Sequence, residues 1–450
     1  MAPLKLTPSI SEIENNVNAT LSNTLEKDHT DYEQVDKELA KYIADARITI
    51  SQEKNIELRR KIDRRILVVM ISTYFLQAID KGTMSFASIM GIKDDTHLSG
   101  QDYNWLTTCV FITILIVEYP QNYIISKVPI GKYLGFNIVA WGSVLACTAA
   151  CTNFTGLLVV RTLLGLFESV CQPSFVILSS MWYRREEQAA RVTYWYMMNG
   201  AQQIVGGLLA YCFSLIKTGP LQSWKWLFLI YGAISIVFGL FVAWWMPDSP
   251  MRAKCFSEED KTLMIERVRD NQTGIQNRKW KKYQFIEGLK DPQIWGYCLI
   301  QLCTTLPTSG LGAFQGIIIQ SLGFTVLQTQ LLAMVLGFYI IIVLLGSTYL
   351  VKLTNQNLSI MGAFVIPSFI GPQVFLYWNA PRYFIAFATH LGCYTLLVIV
   401  IISLRFYLVW ENKKRDNLAA AGVYQARDER MLHAWEDLTD KENVNFRYVY

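Results

Sequence analysis

The sequence is poor in charge. Asp, Glu, Lys and Arg make up 17% of its 450 residues, against about 25% in soluble domains. A chain of this length would otherwise divide into two or three soluble domains, and so little charge argues against that. Cysteine patterns are also missing. Nine cysteines are present, but none forms a CxxC pair. Eight of them (Cys109, Cys147, Cys151, Cys171, Cys212, Cys298, Cys303 and Cys393) fall in apolar runs, and Cys255 falls in a polar loop. This excludes a disulfide framework. Cys147 and Cys151, four apart, read as small residues in helix packing rather than metal ligands. No Walker sequence is present, which argues against an ATP-driven pump. "GLGAFQG" at Gly310 to Gly316 lacks the spacing and the preceding strand of a dinucleotide loop. No metal-ligand spacing occurs, and no cofactor is expected. The first 65 residues are polar and charged, so no cleavable N-terminal signal is expected.

Apolar runs dominate instead. Hydrophobic residues reach 52% and mean hydropathy is +0.24. They gather in blocks of roughly 20, the length that crosses a hydrocarbon core of about 30 Å as a helix. The expected spans are 66–90, 103–125, 133–152, 155–178, 192–215, 225–246, 293–319, 328–351, 358–378 and 383–410. The fold class is thus all-α and multi-pass: a six-helix bundle over 66–246 and a four-helix bundle over 291–410. A polar tail (1–65), a central loop (247–290) and a C-terminal tail (411–450) flank and join them. Residues Asp31 to Arg47 read as a short amphipathic helix.

Net charge is +5, and the surplus lies in loops and tails. That pattern sets topology and does not indicate a nucleic-acid partner. "RRKIDRR" at Arg59 to Arg65, the loops around Lys127 and Arg184, and the central loop are basic, while 91–102 sets Lys93 against Asp94, Asp95 and Asp102. Both termini and the central loop are therefore expected in the cytosol. Of the sequons, Asn18, Asn271 and Asn357 then lie on the cytosolic side, and Asn153 lies too near the membrane to be an acceptor.

Charges also stand inside the spans: Asp80, Lys81, Glu118, Arg161 and Glu168. Each ionised group at a helix centre costs about 2.5–3.5 kcal/mol by insertion scales, so such groups mark substrate or proton paths unless they are structural pairs or snorkel to the interface. Counting 1.5 Å per residue puts Asp80 roughly 21 Å into its helix and Arg161 roughly 9 Å from the other surface, at similar depth. Arg161, Gly165 and Glu168 share one helix face, so an Asp80–Arg161 contact is geometrically possible. Glu168 lies deeper, near the midplane, which favours it slightly as a proton carrier. Glu118, near the cytosolic end of its span, is a pathway candidate for which a structural pair with the basic loop that follows is the alternative. Asn199 and Gln202 with Gln203, Gln301 with Thr304 and Thr305, and Gln373 after a Gly-Pro break are candidate cavity-lining groups, although such side chains also serve as interhelical glue worth about 0.6 kcal/mol. His390 reads as a packing residue.

The ordered set of motifs resembles the major facilitator superfamily, and within it the fungal allantoate-permease (anion:cation symporter) branch. The matching stretches are "RTLLGLFE" (Arg161 to Glu168), "IDKGTMSFASIMGI", "VEYPQN", "VPIGKYLG", "SSMWYRREEQAAR", "MPDSP", "IGPQVF" and "NAPRY". The resemblance implies a monomeric secondary transporter taking up a small organic anion (carboxylate, ureide or vitamin acid) with a proton, in the plasma membrane or the endoplasmic reticulum membrane. "ISKVPIGKYLG" keeps Gly131 and Lys132 but lacks the acidic residue of the superfamily's loop motif. "NGAQQIVGGLLAY" lacks the proline of the antiporter signature, which favours symport or uniport. The superfamily has twelve spans, so two helices are expected to be missing around Val351 to Ser359. A non-transporting membrane sensor and a defective remnant remain alternatives.

Overall fold

A segment crossing hydrocarbon must satisfy its backbone N–H and C=O groups internally, and helices do so. The computed structural model describes residues 50–98, 102–216, 221–269, 271, 282–321, 323–354, 384–420 and 447–448, and its regular elements there are all helical. Helix α1 (Gln52–Ile62) is capped by Ser51, whose hydroxyl accepts from the Lys54 amide at 3.3 Å. It runs through a π turn, Asp63–Leu67, into α2 (Val68–Ile89). Then come α3 (Asp102–Lys127), α4 (Ile130–Cys147), α5 (Phe154–Glu168), α6 (Cys171–Trp182), α7 (Arg185–Tyr196), α8 (Met198–Ser214) and α9 (Ser223–Trp245). Helices α10 (Glu258–Arg269) and α11 (Lys282–Leu289) precede α12 (Pro292–Ser321), α13 (Val326–Thr354) and α14 (Phe384–Ala420).

Several expectations change. The segment 247–290 is not simply a loop, since it carries α10 and α11. The span expected at 155–178 is broken between α5 and α6, where Pro173 has no N–H to return to Ser169. The span expected at 192–215 begins earlier and breaks at Met197. The span expected at 358–378 and the amphipathic segment at 31–47 lie outside the described residues. Among the described residues, six segments are long and apolar enough to cross a membrane: Asp102–Lys127, Ile130–Ala150, Phe154–Trp182, Ser223–Trp245, Val326–Leu350 and His390–Asn417. Apolar length thus marks six crossings rather than a six-plus-four division. Helices α2, α8 and α12 fall short of that standard, and all three contribute polar side chains to one internal cavity.

The main apolar core joins α1 through α10 and includes the buried Trp141, Trp182 and Trp224. A smaller one ties α12 to α14 through Ile300, Cys303, Leu397, Ile401, Leu404 and Leu408. Helices α4 and α9 cross closely because both carry glycine there. A Cβ on Gly142 would lie 2.9 Å from the Gly232 carbonyl oxygen, and one on Gly232 would lie 2.6 Å from that of Gly142. Small residues allow such approach in membrane helices. Outward faces are apolar, with Leu115 78% and Trp244 79% exposed.

Charges crowd the end of the bundle that carries α1. Lys61 of α1 reaches Asp260 of α10 at 2.6 Å, and Arg191 pairs with Asp63 at 3.1 Å. Arg267 pairs with Glu187 and donates to Asn55 at 2.5 Å. The acid missing near Gly131 is supplied from elsewhere: Asp248 accepts from the Gly131 and Lys132 amides at 3.1 and 3.4 Å. A carboxylate there meets unpaired N–H groups at a helix start.

Candidate functional site

Helices α2, α3, α5, α8 and α12 enclose a cavity of about 250 Å³. Its wall includes Asp80, Lys81, Arg161, Glu168, Asn199 and Gln202. Sequence-adjacent residues diverge on a helix, and α2 uses that divergence. Asp80 is 1% exposed, while the neighbouring Lys81 side chain is 48% exposed and borders the cavity. Helix α5 turns Leu157, Arg161, Leu164, Gly165 and Glu168 inward together. Gly165 lets α3 approach, since a Cβ there would lie 2.8 Å from the Val110 carbonyl oxygen.

The pairing differs from the Asp80–Arg161 contact that depth allowed. Lys81 Nζ lies 3.1 Å from Glu168 Oε1. Glu168 is the last residue of α5, where the helix carbonyls carry negative partial charge; the ammonium offsets both. Arg161 is 4% exposed. Its Nη2 is 3.3 Å from Met84 Sδ, its guanidinium sits 5.5 Å from the Phe228 ring centre, and its Nε has no hydrogen-bond partner. Both Asp80 oxygens also lack a hydrogen-bond partner. The four charged groups sum formally to zero, but only one pair is closed. A guanidinium without a carboxylate partner is a ready receptor for one, because its planar fork suits bidentate binding.

Asn199 donates to the Tyr74 hydroxyl at 3.0 Å and to the Tyr196 carbonyl at 2.9 Å. Gln202 lies buried against α2. The structure does not bring the other candidates here. Glu118 is exposed on the outer face of α3. Gln301 is exposed on α12 and donates to Thr305 at 2.8 Å. Gln373 lies outside the described residues. Conversely, Gly82, Ser85, Tyr103 and Thr308 line the cavity without having been singled out from sequence. Gly82 and Ser85 lie one and four residues beyond Lys81, a helical-neighbour signal that was legible. Toward the end away from α1, α12 meets α2 where a Cβ on Gly316 would lie 3.3 Å from the Ser85 carbonyl oxygen, and Gln330 of α13 donates to Ser214 of α8 at 2.8 Å.

Comparison with known proteins bears on this arrangement. The family model of the Major Facilitator Superfamily matches residues 70–424. The thiamine pathway transporter THI73 of Saccharomyces cerevisiae is 31% identical, over 89% of this chain and 87% of its own. The allantoate permease of the same yeast is 29% identical, over 89% and 88%. The two are about equally similar, so the match is to the superfamily rather than to one branch. The alignment with the thiamine pathway transporter covers 465 positions; 89% of 450 residues is about 400, so about 65 positions fall opposite gaps in this chain. Among solved structures, a bacterial homolog of the human lysosomal transporter Spinster, inward-facing and occupied, superposes with a TM-score of 0.50 at 17% identity, covering 82% of this chain and 78% of that one. That likeness speaks to the fold alone. The chain belongs to the Major Facilitator Superfamily and is a multi-pass secondary transporter, not an enzyme.

Proposed function

We propose that this protein is a proton-coupled symporter of a small organic anion, built on the anion:cation symporter pattern that its motifs resemble. The observation carrying this reading is the cavity itself: Arg161 has no carboxylate within 4.0 Å among the described residues, while two acids, Asp80 and Glu168, stand in the same wall. The substrate carboxylate takes Arg161. Coupling needs a carboxyl that is charged in one state and neutral in another; burial disfavours the charged form and a nearby cation favours it. Glu168 already has its cation in Lys81. Asp80 has no cation within 4.0 Å among the described residues and so no ion pair to break, which shifts the preference from Glu168 to Asp80 as the group that cycles its proton. The allantoate permease among its relatives supports an anionic substrate. The cavity volume, below the 300–1,000 Å³ of typical ligand pockets, supports a small one.

The bundle reading belongs here too. Six spans precede α10, and a shortened set of four follows α11. The roughly 65 positions gapped against the thiamine pathway transporter support the loss of a helix pair. Both termini and 247–290 lie in the cytosol on this reading, as the basic residues at that end favour. A reporter fused after Tyr450 is then cytosolic, and one near Gly100 is not.

The test is uptake of labelled small carboxylates by a form with the helix pair restored. Arg161→Ala abolishes uptake while the protein stays in the membrane, and Arg161→Lys does not fully rescue it because the fork is lost. Full uptake by the alanine variant would make Arg161 structural. Binding without flux in the restored form would favour the sensor.

A further inference from the structure

Helices α12 and α14 carry a second feature, away from the charged cavity. They share a small core but part on their outer side, leaving a groove of about 560 Å³. Its walls are apolar, with Trp295 and Leu299 on α12 and Ile399 and Leu404 on α14. Most polar groups along it are already engaged. Trp295 Nε1 donates to the Leu289 carbonyl at 2.8 Å, Ser403 Oγ donates to the Ile399 carbonyl at 2.8 Å, and Tyr407 has a partner as well. Lys290, at the end near α11, is the exception. It is exposed and has no ion-pair partner among the described residues.

A second cation stands at the same end. The helices run antiparallel: a Cβ on Gly296 would lie 3.1 Å from Leu404 Cδ1, and the shared core continues through Cys303 and Leu397. Counting outward from Gly296 and Leu404 puts Lys290 near the level of Trp410, with Lys414 about 6 Å beyond at 1.5 Å per residue. Lys414 is exposed, and its ammonium lies 5.5 Å from the Trp410 ring centre. Acids at this mouth have other work. Asp291 Oδ1 accepts from the Gln293 amide at 3.0 Å and caps α12, and Glu411 lies 3.8 Å from Arg415 Nε.

The length of the groove decides what fits it. From Ile399 to Tyr407 it covers about 12 Å of α14, against a hydrocarbon core of about 30 Å. That is the depth of one leaflet. A membrane-crossing helix, from this chain or from a second copy, would need a groove running through the whole core. An acyl chain entering from one leaflet needs no more than this, and its headgroup would then sit at the two lysines. We propose that the groove between α12 and α14 seats one phospholipid of the adjoining leaflet, its acyl chain along Leu299, Ile399 and Ser403 and its anionic headgroup at Lys290 and Lys414. On the orientation proposed above this is the cytosolic leaflet, whose surface is negative. Binding in detergent does not depend on that orientation, so the two readings fail separately.

The experiment titrates the purified 450-residue protein in mild detergent with three probes: phosphatidylserine, phosphatidylcholine with the same acyl chains, and glycerophosphoserine, the headgroup without chains. Bound ligand is counted by native mass spectrometry. Wild type retains one phosphatidylserine about tenfold more tightly than phosphatidylcholine and does not retain glycerophosphoserine. The Lys290→Gln, Lys414→Gln double variant brings that ratio close to one by weakening phosphatidylserine alone. Ser403→Trp, which fills the groove from its exposed wall, weakens both lipids. The lysine variant changes only exposed side chains and carries the test by itself if Ser403→Trp fails to fold. Equal retention of the two lipids by wild type, or an unchanged ratio in the lysine variant, overturns the proposal. Retention of glycerophosphoserine as tight as that of the lipid overturns it in favour of a soluble phosphate ester. A dimer that Ser403→Trp dissociates overturns it in favour of an interface between copies.

Discussion

Lys81 and Glu168 depend on each other unequally. The lysine side chain is half exposed to the cavity and can hydrate there, while the glutamate is 1% exposed at the end of α5. Breaking a buried pair by removing one partner strands the other. Lys81→Met should therefore lower the melting temperature in detergent more than Glu168→Gln does, and the double variant should recover much of the loss. Losses that simply add would show the two side chains to be uncoupled. The charged residues were legible in the sequence because ionised groups stand out against apolar spans. Their partners were not. Helical spacing puts Arg161 and Glu168 on one face, but it does not fix the rotation of α5 against α2, so Arg161 meets Met84 and Phe228 rather than Asp80. Glu118 was ambiguous for a related reason: α3 is apolar nearly all round, so its sequence does not mark which side faces outward.

At the scale of elements, α1 is held to α10 by Lys54 and Lys61 on either side of Asp260, at 3.3 and 2.6 Å. Burial pushes the Asp260 carboxyl up, but the Lys61 and Lys54 ammoniums outweigh it and hold the carboxyl below its ordinary value of 3.8. A carboxyl depressed in the folded state stabilises above its unfolded value and loses that contribution as pH falls through its folded value. The protection of amides in residues 52–62, meaning exchange relative to the unfolded chain at the same pH, should thus be high at neutral pH and fall on acidification below 3.8. Asp260→Asn should show lower protection already at neutral pH and little further loss on acidification. Identical profiles in the two proteins would mean that the clamp contributes nothing to docking. The sequence announced the basic surplus of this end but not its partners, which come from segments about two hundred residues apart. It did contain a signal for α10: three acids, Glu258, Glu259 and Asp260, in a first helical turn, where the helix dipole favours them. Reading 247–290 as loop overlooked it. Asp248 was equally out of reach, since the cap it gives α4 joins residues more than a hundred positions apart.

For the whole molecule, alternating access rocks one bundle against the other around a central site. The charged part of the cavity lies in α2 and α5, while α12 contributes Thr308. On the proposed reading, binding depends mostly on the first bundle and transport on both. If the second bundle lacks a helix pair, as proposed above, the 450-residue form should insert and bind but transport poorly or not at all. Restoring a pair from a twelve-span relative between about Asn357 and Ser359 should recover flux per molecule at the membrane. Equal, substantial flux in the short form would mean that the shorter bundle suffices. The superfamily fold was legible because apolar blocks and local motifs survive without tertiary information. The cavity's shape was not, because it depends on how α2, α5 and α8 face one another. The central claim, that this cavity couples an anion to a proton, is tested most directly by proton uptake on binding. Purified protein in weak buffer is titrated with N-acetylglycine while pH is followed. The account predicts uptake of about one proton per anion bound, with binding but no uptake in the Asp80→Asn, Glu168→Gln double variant. Binding by wild type without proton uptake, or undiminished uptake in the double variant, would contradict it.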